Sequence, residues 1–257
     1  SRRDEQKWLG GIPHRIAMPR MRNSDAAKLA LKLGQEKKLQ RAEIANWQPL
    51  LKYCEGNPLT LRVLVRQAAN EGRRTKQQIE DFVEAIRSGE QNIEDVDAQQ
   101  GRDKSLGASL DYGFSHAFKD DELPIIALLH LFQGTLDVDV LEVMSRADEH
   151  ALPELKGRSK EQLADLLARA RETGLLTHLG ATWFTIHPAL PWFLRQLFAR
   201  HYDGQNGRST TQAALRAWVE AVGQLGDYYH GQFNEGNRGV IQMLELEEAN
   251  LLHASRL

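Results

Sequence analysis

Apolar residues recur along most of this chain at intervals of three and four, the period of a helix with one face against a core. Ser24 and Asp25 cap the first such stretch, whose inner face runs through Ala26, Leu29, Ala30 and Leu33. Ile44, Trp47, Leu50, Leu51 and Cys54 keep helical spacing up to Gly56. Pro58, Leu61, Leu64, Val65 and Ala68 line the next helix, and Thr75 opens another with Ile79, Phe82, Val83 and Ile86 on one face. These faces predict a small helical bundle over residues 24–88. Ahead of it, Arg15 to Pro19 alternates like a single edge strand. Behind it, the polar run from Ser88 to Lys104 reads as a linker.

The second half opens with two predicted helices, Leu106 to Phe118 and Glu122 to Phe132, and a short third from Val138 to Met144. Ser159 and Gln162 have capping-box spacing at the start of a helix that turns Leu163, Leu166, Leu167 and Ala170 inward and stops at Gly174. Two alternating runs, Leu175 to His178 and Thr182 to Ile186, flank Leu179-Gly180-Ala181 and predict a hairpin. Helices followed by a hairpin is the winged-helix order. Pro188 restarts a helix through Leu190, Phe193, Leu194, Leu197 and Phe198 to about Tyr202. Leu215, Trp218, Val222, Leu225 and Tyr229 form a longer one, broken by Gly236, and a partner begins near Val240 and is still running at Leu252. The fold class is therefore mainly α: helical bundle, winged helix with a small β-hairpin, then the start of an α-helical repeat.

Composition narrows the chemistry. The 257 residues are 41% hydrophobic and 26% charged, ordinary for a globular protein, and the net charge of −2 offers no general attraction to nucleic acid or anionic membrane. One cysteine, Cys54, excludes an internal disulfide and suits a reducing, cytoplasmic setting. No apolar run reaches the roughly 18 residues of a membrane span. The nine histidines lack metal-ligand spacing, and no G-x-S-x-G elbow is present. Neither a G-x-x-x-x-G-K-[ST] loop nor a G-x-G-x-x-G turn can be placed, so the chain has no phosphate cradle of its own. Beginning at Ser1-Arg2-Arg3, it reads as a cut inside a longer protein.

Three short motifs carry further meaning. Gly56-Asn57-Pro58-Leu59 has a sufficient local account: Gly56 ends one helix left-handed, Asn57 caps the next, and Pro58 takes its first position. His187, between a strand and a proline, reads by itself as a structural histidine, and Ser1-Arg2 as a frayed basic terminus. In this order, however, the three resemble the C-terminal part of the nucleotide-binding module of NB-ARC/STAND signal-transduction ATPases. There the proline of a Gly-x-Pro-Leu motif packs on adenine, a histidine after the winged-helix strand reaches the β-phosphate of ADP, and a Thr/Ser-Arg faces the terminal phosphate. The resemblance assigns these roles to Pro58, with Gly56 and Leu59, to His187 and to Arg2. Pro188 replaces the aspartate that follows the family's histidine, so any locking role of that aspartate is not carried over.

The resemblance implies four parts: residues 1–20 from the nucleotide-binding core, a helical bundle over 21–100, a winged helix over 101–204, and the start of tetratricopeptide-like repeats over 205–257. It implies ADP or ATP as cofactor, with a P-loop core outside this sequence. It also implies a protein or peptide ligand on the repeats, and homo-oligomerisation on activation. The chain alone is not expected to be an enzyme. Two other readings stay open, a winged-helix DNA-binding regulator and a helical protein-protein interaction scaffold. Against DNA, the helix from Ser159 to Glu172 sets Lys160, Arg169 and Arg171 against Glu161, Asp165 and Glu172, and the turn from Thr177 to Thr182 has no Lys or Arg.

Overall fold

The computed structural model describes residues 20–35, 39–90, 110–114, 116–146, 152–187, 190–203 and 210–257. The predicted strand at Arg15 to Pro19, Arg2, and most of the linker lie outside these residues. The described part is mainly helical with one three-stranded antiparallel sheet.

The bundle starts with α1, Asn23–Gly34, which buries Ala26 and Ala30. Neither Ser24 nor Asp25 caps it. The helix begins earlier, with Arg22 at the cap position, and Asp25 in the first turn accepts a bond from Arg22 Nε at 2.9 Å. The stretch with helical spacing from Ile44 to Cys54 divides into a 3-10 turn, Arg41–Trp47, and a short α2, Gln48–Tyr53. Pro49 stands at the start of α2, where a missing N–H costs nothing. α3 is Pro58–Asn70. α4, Lys76–Glu90, buries Ile79, Phe82, Val83 and Ile86 as its spacing requires, and runs through Ser88 where a linker was expected.

Helical residues 110–114 and 116–117 lead into α5, Leu123–Ala127, continued by a 3-10 turn, Leu128–Leu131. A strand absent from the sequence reading follows. β1, Thr135–Asp137, runs straight into α6, Val138–Arg146. α7, Lys160–Glu172, starts at the expected box: Gln162 N donates to Ser159 Oγ at 3.3 Å, and Ser159 N to Gln162 Oε1 at 3.0 Å. β2, Leu176–Gly180, and β3, Trp183–Ile186, form the hairpin. β3 lies in the middle of the sheet, with β1 on its other side in the register Thr135↔Thr185 and Asp137↔Trp183. The predicted two-stranded hairpin is thus completed by a third strand.

α8 is Pro191–Tyr202, starting at Pro191 rather than at Pro188. α9, Thr211–Asn234, and α10, Val240–Ala254, pack on each other, and Gly236 makes the turn between them at φ 94°. α10 closes at Ala254, with Ser255 at its C-cap. It covers the outer edge of β1, where unpaired strand groups would otherwise be left open.

The buried side chains form two clusters. One holds α1 to α4 together around Trp47, Leu50, Leu64 and Phe82. The other runs from Leu110 through the sheet and α8 to Trp218 and Val222 on α9. α3 belongs to both. Leu61, Leu64, Val65 and Ala68 face the first cluster, while Leu59 and Val63, one turn apart, face the second.

Candidate functional site

The corner before α3 is built as its sequence demands. Asn57 Oδ1 accepts from the Leu59 N–H at 3.0 Å and from the Thr60 N–H at 3.4 Å, and Pro58 takes the first helical position. Gly56 has φ 70°, and its carbonyl accepts from the Met21 N–H at 3.2 Å. A Cβ on Gly56 would lie 2.6 Å from the Met21 carbonyl oxygen, so the close approach of two chain segments requires glycine there. Pro58 is exposed; Leu59 is buried and serves the core.

α3 carries a stripe, Pro58, Arg62 and Arg66, at intervals of four beside Leu59 and Val63, and its two arginines meet the C-terminal end of α7. Each step along it is about 6 Å. Arg66 Nη1 donates to the Arg171 carbonyl at 2.9 Å, a cation on the C-terminal end of α7. The stem of Arg62 lies on Gly174, where an added Cβ would meet Arg62 Cγ at 3.3 Å and Val63 Cγ2 at 3.9 Å. Gly174 also has φ 85°, and the Leu175 N–H closes the helix end on the Ala170 carbonyl at 3.0 Å.

His187 reaches the same corner from the other side. Its N–H donates to the Leu175 carbonyl at 3.3 Å, extending the β2–β3 pairing, and its carbonyl accepts from the Leu190 N–H at 2.9 Å on the way into α8. The half-buried imidazole is held below its ordinary pKa, first by burial and then by the positive charge of Arg62.

The structure therefore brings α3, through the stem of Arg62, to Gly174, and the His187 backbone to the next residue, Leu175. Arg2 lies outside the described residues. Arg62 and Arg66 were missed by the sequence reading, which looked for apolar faces. Their spacing of four and eight from Pro58 was the available signal. Arginine and histidine are residue types that can donate to an anion, and the exposed proline ring at the head of α3 fits a flat apolar group.

Other candidate chemistry is weaker. Cys54 is buried among bundle side chains, and burial pushes its thiol far up, which keeps it protonated and inert. A groove of about 670 Å³ lies on the bundle between α2 and α4, where Lys52, Lys76 and Arg87 alternate with Glu80 and Glu84. Its charges offset one another, as in the Lys76–Glu80 pair at 3.5 Å, and no expected site residue lines it. Among the described residues, no three or more His, Cys, Asp or Glu side chains are grouped to hold a metal, and no helix is long and apolar enough to cross a membrane. No family model matches the chain, and no curated protein matches it significantly.

Proposed function

We propose that this chain is the sensing part of a nucleotide-switch protein of the NB-ARC/STAND type. In this reading residues 101–204 form a winged helix and α9–α10 opens a tetratricopeptide-like array. ADP rests between these parts and a P-loop core outside this sequence. Pro58 packs on adenine, and His187 donates a hydrogen bond to the β-phosphate. A protein or peptide ligand on the repeats favours exchange for ATP, opening and self-assembly, so the nucleotide biases a two-state domain arrangement. The setting is cytoplasmic. Bound nucleotide supplies the phosphate charge that the corner reads. The chain alone turns over no ATP, because its sequence has no loop to hold the phosphate chain.

One observation carries the reading: the α3 stripe that starts at Pro58 packs on the Gly174–Leu175 corner to which His187 is bonded. Two motifs far apart in sequence, each with a sufficient local explanation, share a junction. The order β1-β3-β2 with α6 and α7 inserted before the hairpin also suits a winged helix. The DNA-binding alternative is opposed by the basic residues of α7. Lys160 pairs with Asp139, and Arg169 pairs with Glu122 at 2.5 Å.

The test is ADP release from the protein that carries this chain together with its P-loop core, wild type against His187→Ala. Loss of a hydrogen bond to a charged group should speed release about tenfold or more. Unchanged release with unchanged melting would make His187 a structural histidine and remove the reading's main support.

A further inference from the structure

We infer that the outer face of α10 is a docking surface for an amphipathic helix of a partner protein, one that carries Lys or Arg between its apolar residues. This rests on the functional reading above only in that α9–α10 receives a protein ligand; the chemistry of that ligand and its place on the pair are additional.

α10 is turned inside out relative to an ordinary surface helix. Its inner side buries Glu247 and Asn250, and Asn250 bonds the carbonyl of Thr135 on β1. Its α9 side is filled by Leu251, whose Cδ2 would lie 3.0 Å from a Cβ on Gly226, and by His253 beside Trp218. Ile241 and Leu252, 43% and 49% exposed, are left outside together with Glu245 and Glu248. These four residues follow one another at intervals of four, three and four, so they share one face about 16 Å long. Half-buried Leu244 borders it. A single exposed leucine needs no explanation. Of the six large apolar side chains exposed among the described residues, however, five lie between Tyr228 and Leu257, so this surface is concentrated at the α9–α10 pair.

Charge decides between occupants. Residues 211–257 hold six acidic and three basic side chains. Arg216 is paired with Glu220 at 2.8 Å and Arg238 lies over the Phe233 ring, so two of the three cations are engaged elsewhere. Glu245 and Glu248 have no ion pair among the described residues. A second copy of the chain is a poor occupant. Antiparallel pairing that sets Ile241 on Leu252 also sets Glu245 on Glu248, and parallel pairing in register sets each glutamate on itself. Both bring like charges together across a seam that excludes water, which opposes association. A helix with lysine or arginine at those two places meets apolar with apolar and acid with base. The two central ion pairs then fix its register.

The probe is a stapled helical peptide of about 18 residues, with two leucines eleven apart and lysines four and seven residues after the first. Its twin has glutamates in place of the lysines. Binding to this chain is followed by fluorescence anisotropy, and its place by hydrogen exchange of the α10 amides. The lysine peptide should bind about tenfold tighter than its twin, lose affinity as salt rises, and protect α10. Glu245→Lys combined with Glu248→Lys should reverse the preference, and Ile241→Ser combined with Leu252→Ser should abolish binding of both peptides. All four positions are exposed, and unchanged melting shows that the variants remain folded. Equal binding of the two peptides, or binding of neither, would overturn the inference. So would dimerisation of the chain that Ile241→Ser abolishes, because a second copy would then occupy the face. Neither probe nor readout involves nucleotide, so failure here leaves the test by ADP release standing on its own.

Discussion

Asn250 Nδ2 donates to Glu247 Oε2 at 2.7 Å, one turn back on α10, and both side chains are buried against the start of β1. Asn250 is committed on three sides. The same amide donates to the Thr135 carbonyl at 3.1 Å, and its oxygen accepts from the Gln133 N–H at 2.7 Å. Thr135 Oγ1 in turn donates to the Leu246 carbonyl at 2.7 Å. Close by, Tyr229 on α9 bonds the buried Asp137 at 3.4 Å. The α9–α10 pair is thus fastened to the sheet by polar groups in an apolar surrounding.

Glu247 has a pH signature. Burial, and then the nearby Asp137, push its carboxyl up to about 7, against the favourable Asn250 bond. A raised carboxyl stabilises the folded form fully below its ordinary 4.5, and that contribution is lost as pH rises through about 7. Glu247→Gln should therefore stabilise the protein at pH 8 by about 1–3 kcal/mol. The advantage should vanish towards pH 4.5. Melting curves across this range, with hydrogen exchange of α10 amides, decide it; a pH-independent difference would refute the assignment.

Glu122 should behave in the opposite sense. Arg169 holds its carboxylate with two bonds, 2.5 and 3.0 Å, and so keeps the pKa below the ordinary 4.5. Stability from this pair is present above that value and lost as pH falls through the lowered one. Glu122→Gln should cost about 1–2 kcal/mol at pH 7, allowing for solvent around the half-exposed guanidinium. It should also flatten the acid limb of the stability profile, measured by urea unfolding between pH 3 and 7.

Gly56 and Gly72 form a natural comparison. Their φ angles are 70° and 69°, but a Cβ at Gly72 meets nothing within 4 Å while one at Gly56 meets the Met21 carbonyl at 2.6 Å. Gly72→Ala should cost about 1 kcal/mol for the left-handed backbone alone. Gly56→Ala should cost about 2–3 kcal/mol, because the segment at 20–21 must also move. Equal losses in thermal unfolding would mean that the close approach at Met21 contributes nothing.

Duplex DNA should bind weakly. Two of the three basic side chains of α7 are held in ion pairs, and the turn of the hairpin carries no Lys or Arg. An affinity tighter than about 1 μM near physiological salt, falling steeply as salt rises, would restore the DNA-binding reading.

What the sequence determined by itself is local. The cap at Asn57, the proline at the head of α3, the Ser159–Gln162 box and the inward faces of α4 and α7 follow from groups within a turn of one another. Where a nearby residue competed, the expectation slipped: Pro49 divided one predicted helix, and Arg22 took the place expected for Ser24. Only the tertiary structure decided the rest. Three residues, Thr135 to Asp137, are too few to show a period, and they become a strand because β3 pairs with them. Arg62 and Arg66 have the spacing of a solvated face, yet they lie against a glycine and a carbonyl more than a hundred residues later in the chain. Glu247 and Asn250 are polar residues on a helix that the sequence would leave in water, and they are buried because β1 presents a carbonyl to them. A cap or an apolar stripe is satisfied by its own turn, whereas a buried charge or an edge-strand carbonyl is satisfied only by a partner that folding brings to it.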